Sequence, residues 1–455
     1  MEHYGIISLI PALVVVLFAL KTHKTFEALL VGSLVGFMIL YKFEFVSGFS
    51  DSMYLVMTDE TIGWIILVCG LFGSLIQILV HTGGARAFAE QLLKYVNSAK
   101  SALMATWLMG LVIFIDDYLN ALTVGNAMQK VTDKFNISRE KLAYVVDSTA
   151  APICVIIPLS TWAIYISGLL ESTDVVEAGM GLTGYINVIP YMVYAWVAVI
   201  IVPLVAMNII PSIGSMKAAE KRVEKTGELA PPNSNKMGIS FEEDRELNPN
   251  VFDFLLPIIV LIGATIYFEV DALKGIIYSL TFTILYFALI RRNVGFFKMI
   301  NQSFKGFREM VYTLAIIVMS FVLKDVNDQL GLTEYVIEVV SPVLSQMWLP
   351  AVAFLALSLI TFATGSFWGV YAITLPIIVP LAAAMDVNIW LAVGAVISAG
   401  AFGSHTCFFG DSTVLSSSAT GCNNMAHAVT QLPYALIAAV ISFAVYVLLG
   451  YTMHG

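Results

Sequence analysis

Residues 101–129 read SALMATWLMGLVIFIDDYLNALTVGNAMQ, and the only charges among them are Asp116 and Asp117 at the midpoint. Lys94 and Lys100 precede the stretch; Lys130, Lys134, Arg139 and Lys141 follow it. A carboxylate in the hydrocarbon core of a bilayer costs about 2.5–3.5 kcal/mol on insertion scales, so it is kept where it meets a cation, a proton or a water-filled cavity. The stretch therefore predicts a polar centre inside a membrane. At about 1.5 Å per residue its length as one helix exceeds the roughly 30 Å of a bilayer core. A hairpin that enters and leaves on one face keeps both basic clusters on the same side, whereas a tilted single helix sends one of them across.

The rest of the chain agrees with a membrane location. Of 455 residues 59% are hydrophobic and only 12% charged, where a soluble domain carries about 25% charged residues. Apolar runs recur at about 5–19, 25–41, 62–80, 142–170, 185–210, 251–268, 274–290, 309–323, 389–401 and 431–450. The expected fold class is an all-α polytopic membrane protein embedded in a lipid bilayer, with no nucleic-acid partner. The net charge of −9 reports charges sorted by side rather than an external partner. The first run is followed by Lys21, Thr22, His23 and Lys24 with no small-residue cleavage site, so it reads as a retained helix. Cys69, Cys154, Cys407 and Cys422 show no CxxC spacing and read as packing residues.

One extended polar segment, about 212–250, splits the chain and has the composition of a linker. Residues 1–211 and 251–455 then read as two copies of one unit. Runs 5–19 and 25–41 match 253–267 and 273–289; Gly83 falls on Gly331, Phe114 on Phe362, and Asn136-Ile137 on Asn388-Ile389. In the first copy the scaffold helices occupy about 1–80, and the hairpin and broken helix about 101–170. In the second the hairpin lies at about 347–384 and the broken helix at about 389–418. With one hairpin each, the copies have five crossings apiece, and an odd number makes the second inverted. Lys42, Lys274 and Lys324 alone of the 23 Lys and Arg then lie outside. The acidic loops (Asp51, Asp59, Glu60; Glu171, Asp174, Glu177; Glu269, Asp271) also fall outside. The linker is expected to be cytoplasmic and both termini extracytoplasmic.

Polar residues collect in four segments. The first hairpin tip carries Asp116, Asp117, Asn120 and Thr123; the next span carries Asp147, Ser148, Thr149, Ser160 and Thr161, interrupted by Pro152 and Pro158. The second tip carries Thr361, Thr364, Gly365, Ser366 and Trp368. Its broken span carries Ser404, His405, Gly410, Asp411, Ser412 and Thr413. Proline frees a helix carbonyl and glycine lets the backbone leave the helix. Hydroxyls, carboxylates and freed carbonyls are the hard ligands an alkali cation takes, and a desolvated carboxylate can hold a proton in the cation's place. Bland roles stand beside these: Asp147 capping a half-helix, one of Asp116 and Asp117 structural, His405 a bonded core histidine, Trp368 a packing residue, Asn120 and Thr123 bonding a neighbouring helix. Between the paired aspartates Asp117 is favoured as the ligand, and Asp411 is the strongest single candidate.

The stretch FIDDYLNALTVGNAMQKVTDKFNISREKLAYVVDSTAAPICVIIPLSTW resembles the signature region of the NhaC-type sodium/proton antiporter family. TGSFWG and FGSHTCFFGDSTVLSSSATGCNN resemble that family's second-half motifs, and the similarity runs over nearly the whole chain. The family lies in the ion-transporter superfamily. The resemblance implies an elevator-type homodimer in a bacterial inner membrane, with Na⁺ as transported or coupling ion and no other cofactor. It implies cation ligands among Asp117, Asn120, Asp147, Ser148, Thr149, Thr364, Ser366, Asp411, Ser412 and Thr413, with Asp117, Asp147 and Asp411 as the carboxylates on Na⁺. Where the antiporter pattern reads G-D-H-C-S-P-x-S-D-T-T, this chain has Ser404 in place of the acid and Phe408 in place of the proline. One fewer acid leaves room for a small organic substrate.

The expected function is a sodium-coupled secondary transporter, not an enzyme, with Na⁺/H⁺ exchange in front. The alternative is Na⁺- or H⁺-coupled carriage of an amino acid or small organic acid. A remote third is an intramembrane aspartic protease built on Asp147 and Asp411.

Overall fold

A computed structural model of the protein describes residues 3–22, 24–114, 116–158, 160–173, 175–177, 179–232, 234, 249–291, 294–340, 345–365 and 367–453. Ser366, Asp174, linker residues 235–248 and the side chain of Trp368 lie outside the described residues.

Among the described residues the regular structure is entirely helical. The first half runs α1 (Ile10–Thr22), α2 (Thr25–Tyr41), α3 (Phe45–Thr58), α4 (Glu60–His81), α5 (Gly84–Leu92), α6 (Ala99–Val112), α7 (Asp117–Lys134), α8 (Arg139–Ile156), α9 (Thr161–Ser172), α10 (Gly181–Val188) and α11 (Val193–Ala206). After α12 (Gly214–Thr226) come α13 (Phe252–Tyr267), α14 (Ala272–Leu285), α15 (Phe296–Glu309), α16 (Val311–Gln329) and α17 (Leu332–Val340). The chain ends with α18 (Leu349–Thr364), α19 (Phe367–Ala384), α20 (Ile389–Thr406), α21 (Asp411–Thr420) and α22 (Asn424–Thr452).

Among the described residues six helical segments are long and apolar enough to cross a membrane; the bent pairs α10–α11 (56°) and α15–α16 (40°) raise that to eight. Two shorter apolar helices, Gly5–Phe18 and Phe252–Tyr267, fall where the sequence predicts further crossings. The protein is a multi-pass helical membrane protein. Its centre and rim separate cleanly: the spanning window in Ile389–Thr420 is 100% buried, whereas those in Thr25–Thr58 and Asn424–Thr452 are 28% buried.

The opening stretch is not one helix. α6 ends at Val112, α7 begins at Asp117, and the two pack against each other. The start of α7 follows from its cap, because Asp116 Oδ1 accepts the Leu119 N–H at 3.0 Å. Ser98, Ser138, Ser160, Asp271, Asn388 and Asn423 cap six other helices in the same way, each taking an N–H that has no partner within the helix.

The corresponding break in the second half falls between α18 and α19, where Gly365 has φ +68°. A Cβ there would lie 2.8 Å from the Phe409 ring, so the site demands glycine for both its backbone and its space. Gly365→Ala is expected to lower stability by about 1–2 kcal/mol, read as a lower melting temperature in detergent.

Proline acts differently in the two positions where the sequence predicts a broken span. Pro152 stays inside α8, and the helix ends at Ile156, two residues before Pro158. Pro158 cannot donate to Cys154 O, and the Ser160 hydroxyl takes that carbonyl instead at 2.5 Å. Tyr185 donates to the next one, Val155 O, at 2.5 Å. Two carbonyls near the end of α8 are thus satisfied by the side chains of Ser160 and Tyr185.

Several helices before and after α12 match in order and length. α8 and α20 have 18 residues each and start at 139 and 389; α7 and α19 have 18 each and start at 117 and 367. α5 and α17 have 9 residues each, and each follows a left-handed glycine, Gly83 and Gly331. One residue match changes: Asn388 caps α20 as Ser138 caps α8, whereas Asn136 (φ 51°) shares its left-handed turn with Asp386 (φ 54°).

The linker is not featureless. Its first part is α12, where Met216, Ala219 and Val223 recur at helical spacing and are buried. Composition alone hid this, because apart from Ala218 the other residues of KAAEKRVEKT are polar.

Candidate functional site

α7, α8, α20, α21 and α22 meet in the buried centre, and the polar side chains predicted from sequence sort there into distinct roles. Asp116 is the cap of α7, and its second oxygen accepts the Thr161 hydroxyl at 3.1 Å. It ties the first tip to the start of α9. Asp117 is the first residue of α7; the Trp162 side chain is its hydrogen-bonding neighbour, and among the described residues its Oδ2 takes no further close hydrogen bond.

Asp411 is the first residue of α21. Its Oδ2 accepts the Tyr118 O–H at 2.5 Å and its Oδ1 accepts the Ser412 N–H at 2.8 Å. The next residue, Ser412, donates its hydroxyl to Asp147 Oδ1 at 2.5 Å. Asp147 Oδ2 is met by His427 Nε2 at 3.0 Å and accepts Gln431 Nε2 at 2.7 Å. Asp147 thus sits in the interior of α8 with both oxygens filled, and it caps nothing. Asp117 stands near enough to both Asp116 and Asp411 to feel their charge. No lysine or arginine is hydrogen-bonded to these four carboxylates among the described residues.

The remaining predicted residues make the following bonds and contacts. Asn120 Nδ2 donates toward three carbonyls, Gly110 O and Ile113 O at 2.8 Å and Thr149 O at 2.9 Å, and so binds α6, α7 and α8 together. Ser148 and Tyr194 hydroxyls hold the two ring nitrogens of His405 at 2.9 and 2.7 Å, making it a bonded core histidine. Thr149 bonds back to Val145 O, Thr413 to Ser404 O, and Thr364 is buried at the end of α18. Thr123 faces away from the site, on a small apolar cavity with Phe72 and Leu75. Ser404, which stands where the antiporter pattern has an acid, leaves its hydroxyl unbonded.

Sequence reasoning missed Tyr118, His427, Gln431 and Tyr194. A signal existed for two of them: Asn424, His427 and Gln431 share one face of α22, but the apolar run was read only from 431.

A cavity of about 630 Å³ opens beside this centre. Asp59, Glu60 and Asp271 line it with Lys324, between walls of Trp64, Tyr165 and Phe321. Thr161, bonded to Asp116, is part of its lining. Trp64 leans on the Tyr118 ring at 6.0 Å between centroids. The cavity wall is therefore bonded to Asp116 through Thr161 and reaches Asp411 through Trp64 and Tyr118. Trp162 stacks on Phe367 at 3.9 Å, joining the start of α9 to the start of α19.

A family profile for the Na⁺/H⁺ antiporter family matches residues 2–196 and 171–451. The chain belongs to the Na⁺/H⁺ antiporter family. This is a family of membrane transporters that move ions, and the NhaC-type resemblance read from the motifs agrees with it. An uncharacterized protein of Haemophilus influenzae is 30% identical over 486 aligned positions, covering 98% of this chain and 91% of that protein. In an antiporter of this family the transported ion is substrate rather than cofactor, and carboxylate oxygens are of the hard kind that an alkali cation takes. Asp117, Asp147 and Asp411 do not converge on one point. They form a chain through Tyr118 and Ser412, and among the described residues no three His, Cys, Asp or Glu side chains form a metal cage.

Proposed function

We propose that the protein is a Na⁺/H⁺ antiporter that works by alternating access, binding Na⁺ between the starts of α7 and α21. The observation that carries this reading is the buried acidic cluster of Asp117 and Asp411 around Tyr118, to which no Lys or Arg is hydrogen-bonded among the described residues. Uncompensated buried charge costs several kcal/mol, so the cluster calls for a bound cation or for protons in its place. Exchange of one for the other is an antiport cycle.

The helix pairing supports the inverted-repeat expectation: residues 1–211 and 251–455 as two copies, joined by a cytoplasmic linker, with both termini outside. On that reading α6–α7 and α18–α19 are the re-entrant hairpins, and α8–α9 and α20–α21 are the broken spans. The acidic cavity is then the outer vestibule, and its carboxylates concentrate cations at the mouth. An elevator movement, a homodimer and a bacterial inner membrane belong to the same reading by family resemblance. A protease finds less support, because Asp147 has no free oxygen to share a water with Asp411.

One second reading has an observation of its own. The cavity has room and aromatic walls for a small organic solute, and Ser404 removes an acid from the antiporter pattern. Na⁺-coupled carriage of an amino acid or organic acid fits both.

The paired aspartates give a test. Asp117→Asn is expected to abolish Na⁺-driven proton movement in proteoliposomes with little change in melting temperature. Asp116→Ala is expected to cost about 1–2 kcal/mol of stability as a lost cap, with Na⁺ dependence retained. The reverse pattern would exchange the two roles. Protons should also compete with Na⁺ at the cluster, so the Na⁺ concentration for half-maximal exchange rises as pH falls. An unchanged value across pH would argue against a shared site.

A further inference from the structure

Buried charges also lie outside the acidic cluster, and one group of them sits at the start of α8. Glu140 and Lys141, in the first turn of α8, are 2% and 5% exposed. Both are paired with α12. Arg222 grips Glu140 with two parallel bonds of 2.7 and 2.9 Å, and Lys141 pairs with Glu220. Arg222 also donates to Glu228 O at 3.1 Å and Leu229 O at 3.0 Å; the Arg139 N–H takes the same Leu229 carbonyl at 2.9 Å. The segment after α12 is thereby folded back onto α8.

The other end of α12 holds α22. The Ile213 N–H donates to the Tyr434 hydroxyl at 3.1 Å, and the Tyr434 ring packs on Tyr144 of α8 at 4.8 Å. Helical spacing gives these contacts their meaning. On α8, Glu140, Tyr144 and Asp147 follow one another along one face; on α22, Tyr434, Gln431 and His427 do the same. The α12 contacts and the Asp147 contacts are two rungs of one ladder between the same two helices.

We propose that Glu140, Arg222 and Tyr434 are positioning residues, through which α12 braces α8 against α22 so that Asp147 meets His427 and Gln431. The three helices then travel as one body during transport, and α12 is not a gate that must open. Bidentate geometry explains why arginine holds this position, since the fork fixes orientation as well as charge. The transport part of this inference rests on the antiporter reading; the bracing part does not.

Two measurements on the full-length protein test it. Hydrogen exchange should quicken about ten-fold in Arg222→Glu at both 142–150 on α8 and 425–432 on α22, because local opening of the two is coupled. The exchanged pair Glu140→Arg/Arg222→Glu should bring both segments back toward wild type, and with them the Na⁺ affinity. Where Arg222→Glu fails to insert, Arg222→Gln carries the same comparison. Faster exchange confined to α12, with 425–432 unchanged, overturns the brace whether or not the protein moves Na⁺.

The second measurement joins the segment that follows α12 to the start of α8 in Arg139→Cys/Glu228→Cys with a short bismaleimide, at positions more exposed than Glu140 and with the Glu140–Arg222 pair intact. The four native cysteines are buried, which makes the reaction selective. Cross-linked protein is expected to transport as well as the same variant before cross-linking. A block on transport would make α12 a gate and overturn the proposal. Absence of Na⁺/H⁺ exchange in the wild type would instead count against the antiporter reading, and the exchange measurement would still decide the brace.

Discussion

Asp411→Asn is expected to remove Na⁺-driven proton exchange while leaving the protein folded and inserted. Asparagine keeps the shape of the side chain, and its amide oxygen can still accept the Tyr118 hydroxyl or the Ser412 N–H. What is lost is charge. A full charge about 4 Å from a cation contributes about 4 kcal/mol at an effective dielectric of about 20. That corresponds to about three orders of magnitude in Na⁺ affinity. The effect should appear in a Na⁺ titration of proton movement as a response that does not saturate in the accessible range, with normal yield and a normal melting temperature. A wild-type Na⁺ response in this variant would remove Asp411 from the site.

Asp147→Ala is expected to fail for a different reason. Asp147 accepts from Ser412 and Gln431 and meets His427, all in the fully buried centre. Removing it strands three polar groups from α21 and α22, and breaking a buried charged cluster costs about 3–5 kcal/mol. Low yield and a large drop in melting temperature should follow. Asp147→Asn preserves part of the network and should lose less stability. A stable Asp147→Ala protein lacking only Na⁺ dependence would turn Asp147 from organiser into direct ligand.

The contrast between these two aspartates could not be read from sequence. Both stand in polar breaks of apolar spans, and both cost the same to bury in principle. Asp411 opens a helix whereas Asp147 lies inside one, and that depends on where each break falls. Pro152 and Pro158 both predicted a break after Asp147, but only the region beside Pro158 leaves the helix. The same uncertainty held for Asp116 and Asp117: once α7 starts at Asp117, Asp116 must be its cap. A shift of one residue would exchange them.

Other features were legible for clear physical reasons. Two charges in an uncharged stretch, flanked by basic residues, marked the break between α6 and α7. Gly365 announced its turn, because the left-handed backbone there excludes side chains. The partners of Asp147 were harder to find. His427 and Gln431 lie 280 or more positions away in sequence and meet it only through packing. α12 was obscured because three buried residues in thirteen give a weak apolar stripe.

The central claim is that the acidic cluster at the starts of α7 and α21 exchanges Na⁺ for protons. It is tested most directly in everted membrane vesicles carrying a pH gradient, with no organic solute present. The account predicts that added Na⁺ collapses the gradient in wild-type vesicles and leaves it intact in Asp117→Asn and Asp411→Asn vesicles. No collapse in the wild type, with Na⁺-dependent uptake of a labelled amino acid or organic acid, would contradict it.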